Sequence, residues 1–187
     1  SYETFGGNAT YSIIPKIAID LGCVLPYHGD YFADASLAEP MSCIIGAYHA
    51  SYHTTQYVYE HDMGIKEGGA LALLACAGPM GIGAIDYAIN GPVKPKLIVV
   101  TDIDAARLDR AECLIPVEKA KEQGIDFTFL QADTIHPDFE IEETDLLFID
   151  TYHVYRQLIK ELRIHNVKVK KYIILHDTTC FGDQDQH

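Results

Sequence analysis

At 187 residues with 48% hydrophobic side chains, the chain is long enough to bury a core of its own and too apolar for disorder. A formal net charge of −13 sets it against phosphate backbones and excludes nucleic acid as a natural partner. No apolar run reaches bilayer-crossing length, so no membrane partner is expected. Five cysteines, Cys23, Cys43, Cys76, Cys113 and Cys180, include no C-x-x-C pair, which argues against a disulfide scaffold and a cysteine zinc site. No basic and apolar leader opens the sequence, so a reducing cytoplasm is the expected compartment. Self-association into a homo-oligomer stays open.

Residues 1–68 read as an N-terminal extension, and residues 69–187 as a nucleotide-binding domain. Thr10 to Ile19 is β-branched and interrupted by Pro15, a pattern that predicts an edge strand. Leu21 to Asp34, with Gly22, Pro26 and Gly29, predicts a loop. Ser36 to Ser51 predicts a helix, with Ser36 as its N-cap and Met41, Ile44, Ile45 and Tyr48 as its apolar face. His49 and His53 stand four residues apart, and His61 could join them on a metal; the residue after His49 is not the glutamate of the metalloprotease pattern, so half-buried structural histidines are expected.

The centre of the chain is a β-α-β unit. Gly69 to Ala75 is a glycine-bounded apolar run that reads as a buried parallel strand. Cys76-Ala77-Gly78-Pro79-Met80-Gly81 makes the turn, and the helix from Met80 to Asn90 carries Ile82, Ile85 and Ile89 on one face. Asn90-Gly91-Pro92 ends it, and Leu97 to Thr101 forms the next strand. Gly78 lets backbone approach a pyrophosphate, Pro79 and Met80 open the helix whose N-terminus favours anions, and Gly81 lets the helix pack closely. Asp102 stands 21 residues after Gly81, where an acid can take ribose hydroxyls. Cys76 occupies the position of the first glycine in G-x-G-x-x-G. The turn predicts NAD binding, with NAD preferred to NADP because Asp102 would repel a 2′-phosphate. Gly81→Asp is expected to abolish binding by blocking the turn and placing a negative charge where phosphate belongs.

Farther on, Asp104 caps a helix through Ile115, which Pro116 breaks before it resumes to Gln123 and stops at Gly124. Strands follow at Asp126–Ala132 and Asp145–Asp150, separated by an acidic loop from His136 to Thr144. Tyr155, Leu158, Ile159 and Leu162 form the face of another helix, and Tyr172 to Leu175 is the fifth strand. The alternation predicts a Rossmann-like, doubly wound parallel α/β sheet with helices on both faces and strand order 3-2-1-4-5. Its carboxyl edge would carry Gly78, Asp102, Asp133, Asp150, His153, His176 and Asp177, where ligands bind in open α/β sheets.

Two family resemblances lie on different halves. Gly6-Gly7-Asn8-Ala9-Thr10-Tyr11-Ser12-Ile13-Ile14-Pro15, Leu37-Ala38-Glu39-Pro40-Met41-Ser42, Ala77-Gly78-Pro79-Met80-Gly81 and Val99-Val100-Thr101-Asp102-Ile103-Asp104 resemble zinc-type medium-chain dehydrogenases of the sorbitol and threonine dehydrogenase kind. The resemblance covers residues 1–124 and implies NAD(P), polyol or alcohol oxidoreduction, and a place for Glu39 at the catalytic zinc. The cysteine and His-Glu pair of that family's zinc site have no counterpart here, and Glu39 alone cannot hold zinc, which needs three protein ligands at a catalytic site. Asp145-Leu146-Leu147-Phe148-Ile149-Asp150-Thr151-Tyr152-His153 and Lys171-Tyr172-Ile173-Ile174-Leu175-His176-Asp177-Thr178-Thr179 are instead similar to class I S-adenosylmethionine methyltransferases of the cephalosporin-hydroxylase-like group. That resemblance implies S-adenosylmethionine and a magnesium-type cation at Asp150 and Asp177. Three expectations stand: a dehydrogenase-type nucleotide binder, a metal-assisted methyltransferase, and a mosaic scaffold joined near Gly124 without catalysis.

Overall fold

The computed structural model describes residues 10–49 and 64–176. The chain divides after Ala38 into two compact units. The first contains two short helices, α1 (Lys16–Asp20) and α2 (Phe32–Ser36). The edge strand expected over Thr10–Ile19 is not formed. Pro15 has no N–H for a ladder, and with φ −59° it serves as the entry residue of α1. Lys16 then pairs with Asp20 one turn on at 2.6 Å, a spacing that only a helix brings together. Ser36 does not cap the next helix. It ends α2, where its hydroxyl donates to the Ala33 carbonyl at 2.6 Å.

The second unit holds α3 (Ala38–His49) from Glu39 onward, β1 (Ala70–Leu74), α4 (Pro79–Asn90), β2 (Leu97–Asp102), α5 (Ala105–Leu114), α6 (Val117–Glu122), β3 (Asp126–Gln131), β4 (Thr144–Ile149), α7 (Tyr155–His165), a single 3-10 turn (Asn166–Lys168) and β5 (Val169–Leu175). The five strands form one sheet in the order β3-β2-β1-β4-β5, and every pairing is parallel. This is the Rossmann-like arrangement that the β-α alternation predicts. Parallel neighbours need crossovers, and right-handed crossovers leave few orders to choose from.

Alternation along the strands sends side chains to two cores. Leu71, Leu73, Ile98, Val100, Leu146 and Phe148 meet α3 and α4 through Ile44, Tyr48, Ala84, Ile85, Ala88 and Ile89. Tyr48 stacks on Tyr87 at 5.5 Å between ring centres, its hydroxyl donates to the Ala84 carbonyl at 3.3 Å, and burial pushes its ionisation far up. The helix expected around Met41, Ile44 and Tyr48 is therefore α3, docked by that face; Ile45 stays 40% exposed. On the opposite face of the sheet Ala72, Leu74, Leu147 and Ile149 meet Leu162 of α7 and the segment around Phe139 and Ile141. That face is only half covered. The connection from β3 to β4 carries no helix, so Leu97, Val99, Thr128 and Leu130 line a groove of about 410 Å³.

Candidate functional site

Strand β1 sits at the middle of the sheet, and its carboxyl end is tied to the end of β2 residue by residue. The Ala75 N–H reaches the Thr101 hydroxyl at 3.3 Å. The Cys76 N–H donates to the Thr101 carbonyl at 2.9 Å, and the Ala77 N–H to Asp102 Oδ2 at 3.3 Å. Asp102 Oδ1 accepts from the Asp104 N–H at 3.0 Å. Asp102, only 2% exposed, thus fixes the turn and the entry to α5 at once. The chain bends at Ala75, whose φ of 56° is the left-handed value that non-glycine residues seldom take.

Gly78 is the N-cap of α4, with Pro79 at the first helical position and no side-chain cap. The two glycines of the turn differ in kind. A Cβ on Gly81 would lie 2.0 Å from the Cys76 carbonyl oxygen, whereas one on Gly78 would meet nothing within 4 Å. Gly81 is therefore required by the packing of the turn itself, and Gly78 leaves open space at the helix end. Cys76 is tolerated in place of the motif's first glycine because its side chain turns inward. It is fully buried, its thiol donates to the Leu74 carbonyl at 3.2 Å, and burial pushes its ionisation well up.

A second group of side chains stands on the adjoining half of the same edge. The Asp150 N–H donates to the Leu74 carbonyl at 3.2 Å and the His176 N–H to the Ile149 carbonyl at 3.1 Å. These bonds carry the ladder one residue past β4 and β5 and set Asp150 beside His176. Asp150 Oδ1 lies 3.4 Å from His153 Nε2 and 3.2 Å from His176 Nδ1. One donor atom from each of the three falls within 4.8 Å of the others. Of the metal ligands expected from sequence, Asp150 is in this group and Asp177 lies outside the described residues. Glu39 is in the first turn of α3, where its carboxylate accepts from the Cys43 thiol at 3.4 Å, and it is not one of the three. His53 and His61 also lie outside the described residues, while His49 Nε2 meets the Tyr87 hydroxyl. Asp133 is exposed and caps its own loop through the Ile135 N–H at 3.1 Å.

Sequence reasoning missed the polar cluster behind this edge. Glu161, fully buried, accepts from the hydroxyls of Thr134 at 2.5 Å and Thr151 at 2.7 Å and from Gln157 at 2.9 Å. His165, also buried, bonds the Thr134 carbonyl at 2.8 Å. The signal was the polar row Gln157, Glu161, His165 at a spacing of four, one face of a helix.

Among the described residues no helix is long and apolar enough to cross a membrane. No family model matches the chain. A stretch of 130 residues, 70% of this chain and 31% of the relative, is 84% identical to a mannitol-1-phosphate 5-dehydrogenase of Aliivibrio fischeri. Over 118 residues, 63% of this chain and 29% of the relative, it is 43% identical to an L-sorbose 1-phosphate reductase of Klebsiella pneumoniae. A SAM-dependent methyltransferase from Aquifex aeolicus is similar over 88% of this chain and 72% of its own, with 14% identity and a TM-score of 0.44. The chain spans less than a third of the length of these curated relatives, which are named as a dehydrogenase and a reductase of sugar or polyol phosphates.

Proposed function

We propose that the β1–α4 turn is the pyrophosphate seat of a dinucleotide and that the chain is the NAD-binding part of a dehydrogenase-type protein. The observation that carries this reading is the open space at Gly78. Among the described residues no atom requires glycine there, yet its lack of a side chain clears the positive end of α4 for close approach of an anion. The names of the relatives support the same class. Asp102, buried and bonded to the Ala77 and Asp104 N–H groups, holds the turn and the end of β2 in shape beneath the seat. Arg107, the nearest candidate for a 2′-phosphate, leans on Asp104 at 3.8 Å, so NAD is preferred. S-Adenosylmethionine has no phosphate and carries a sulfonium cation, which gains little from the positive helix end. Glu39 by itself completes no catalytic zinc site, so hydride transfer is assigned to no residue of this chain.

Calorimetric titration of NAD and NADP, with the melting temperature read beside it, tests the proposal. NAD should bind at least about tenfold more tightly than NADP, a difference of about 1.4 kcal/mol. Gly78→Val should fold as the parent does, since φ −83° and ψ 178° suit valine, and should lose NAD affinity by at least the same factor. Tighter NADP binding, or a Gly78→Val chain that binds NAD unchanged, overturns the reading. Stabilisation by S-adenosylmethionine alone would replace it with the methyltransferase, and stabilisation by neither with the non-catalytic scaffold.

A further inference from the structure

We infer that Asp150, His153 and His176 form a binding site for a divalent first-row transition metal, with the borderline ions zinc, cobalt and nickel as its class. The inference stands apart from the dinucleotide reading. Its basis is the convergence of three donors from three places: the residue after β4, the loop that follows it, and the residue after β5. The main chain at Asp150 and His176 is pinned by the ladder bonds to Leu74 and Ile149, so the backbone that carries two of the donors is held before any ion arrives. A tetrahedral ion with ligand bonds of ~2.0–2.1 Å needs its donors about 3.3–3.4 Å apart. The two carboxylate-to-imidazole separations, 3.4 and 3.2 Å, match that edge length. The third donor pair lies within 4.8 Å, and a bound ion would have to draw the two imidazoles together. The His153 ring sits on a loop residue with its side chain 28% exposed.

The donor chemistry chooses the metal. The methyltransferase resemblance implies carboxylates and a magnesium-type ion, yet two of the three groups gathered here are imidazoles. Imidazole suits zinc, cobalt and nickel, whereas magnesium demands hard oxygen donors. Three protein ligands leave a fourth position for water or an oxygen of a bound molecule, the pattern of an open rather than a structural site. One carboxylate offsets half of the ion's charge, and a chain with a net charge of −13 draws cations toward it.

The test is titration of the full chain, freed of metal by chelator, with cobalt(II) followed by visible absorption. One equivalent should give a ligand-field band, zinc should displace it, and a large excess of magnesium should not. His153→Ala, His176→Ala and Asp150→Asn should each weaken cobalt binding by about 10–100-fold or more, while His136→Ala should not. Melting each variant without metal establishes its fold. Protection of the two imidazoles from acylation by stoichiometric zinc reads the same site in the unaltered chain. Unchanged cobalt binding in both histidine variants overturns the site, as does the lack of zinc protection. Magnesium competing at equal concentration also overturns it, and gives Asp150 to an all-oxygen site.

Discussion

At the scale of single residues, the turn after β1 separates two uses of glycine that share one motif. Sequence spacing places Gly78, Gly81 and Asp102 together, because their roles depend on position along a strand, a turn and a helix. It does not rank them, because which glycine faces protein and which faces solvent is set by the path of the backbone at Ala75. With the Cys76 carbonyl 2.0 Å from any Cβ added to Gly81, the negative charge of Gly81→Asp is a secondary effect and the fold suffers first. Gly81→Ala should therefore cost about 3 kcal/mol in urea unfolding, with Gly78→Ala close to neutral on the same measurement. Equal costs would show that the turn relaxes around both. One partner of Asp102 was hidden for the same reason: a carboxylate at a strand end is visible in sequence, but the Ala77 N–H that reaches it comes from a turn 25 residues earlier in the chain.

At the scale of elements, apolar periodicity located α3 and α4, each of which buries one regular face, and short apolar runs located the strands, of which β1 and β4 are buried on both faces. The apolar pattern misjudged the two places where polar chemistry decides. One is α1, where Pro15 and the Lys16–Asp20 pair outweigh β-branched residues. The other is α7, whose expected apolar stripe includes Tyr155 at 47% exposure while Glu161 and His165 are fully buried. The helix is latched to the β3–β4 connection by Thr134 and to the end of β4 by Thr151, both through Glu161. Glu161→Ala should destabilise the chain by about 2–4 kcal/mol, because it leaves the buried Thr134 hydroxyl and the half-buried Thr151 and Gln157 donors without their acceptor. Thr134→Val, which removes one donor and keeps the shape, should cost about 1–2 kcal/mol. Hydrogen exchange would then show faster opening of α7 and residues 132–143 than of β1 and β2. A Glu161→Ala chain as stable as the parent would reduce the cluster to a by-product of packing.

At the scale of the whole molecule, the strand order was legible because β-α alternation with right-handed crossovers admits few solutions. The half-open second face follows from the β3–β4 connection, which the sequence already reads as an acidic loop without a helix; the groove it leaves along Leu97, Val99, Thr128 and Leu130 depends on which way each strand turns its side chains. Charge is the other global property, and it sets the response to pH. The chain carries −13 near neutrality, so its compact state repels itself there and added salt should stabilise it. Against this stands the bond between Lys66 and Asp145 at 2.8 Å, joined by the Ala70 N–H at 3.0 Å, which ties the start of β1 to β4. The Lys66 hydrogen bond, then that of Ala70, holds the Asp145 carboxyl below its ordinary range. A carboxyl lowered by folding adds stability that is present above its unfolded value and lost as the pH falls through its folded one. Glu140 and Glu143 shift the same way through Lys168 and Lys170, but they lie in water and contribute little. Asp145→Asn should therefore lower the unfolding free energy by about 1–2 kcal/mol at pH 7. Its difference from the parent should shrink as the pH falls below about 4. Urea unfolding of both chains at neutral and acid pH measures this, and a difference that stays constant would assign the effect of Asp145 to shape rather than to charge.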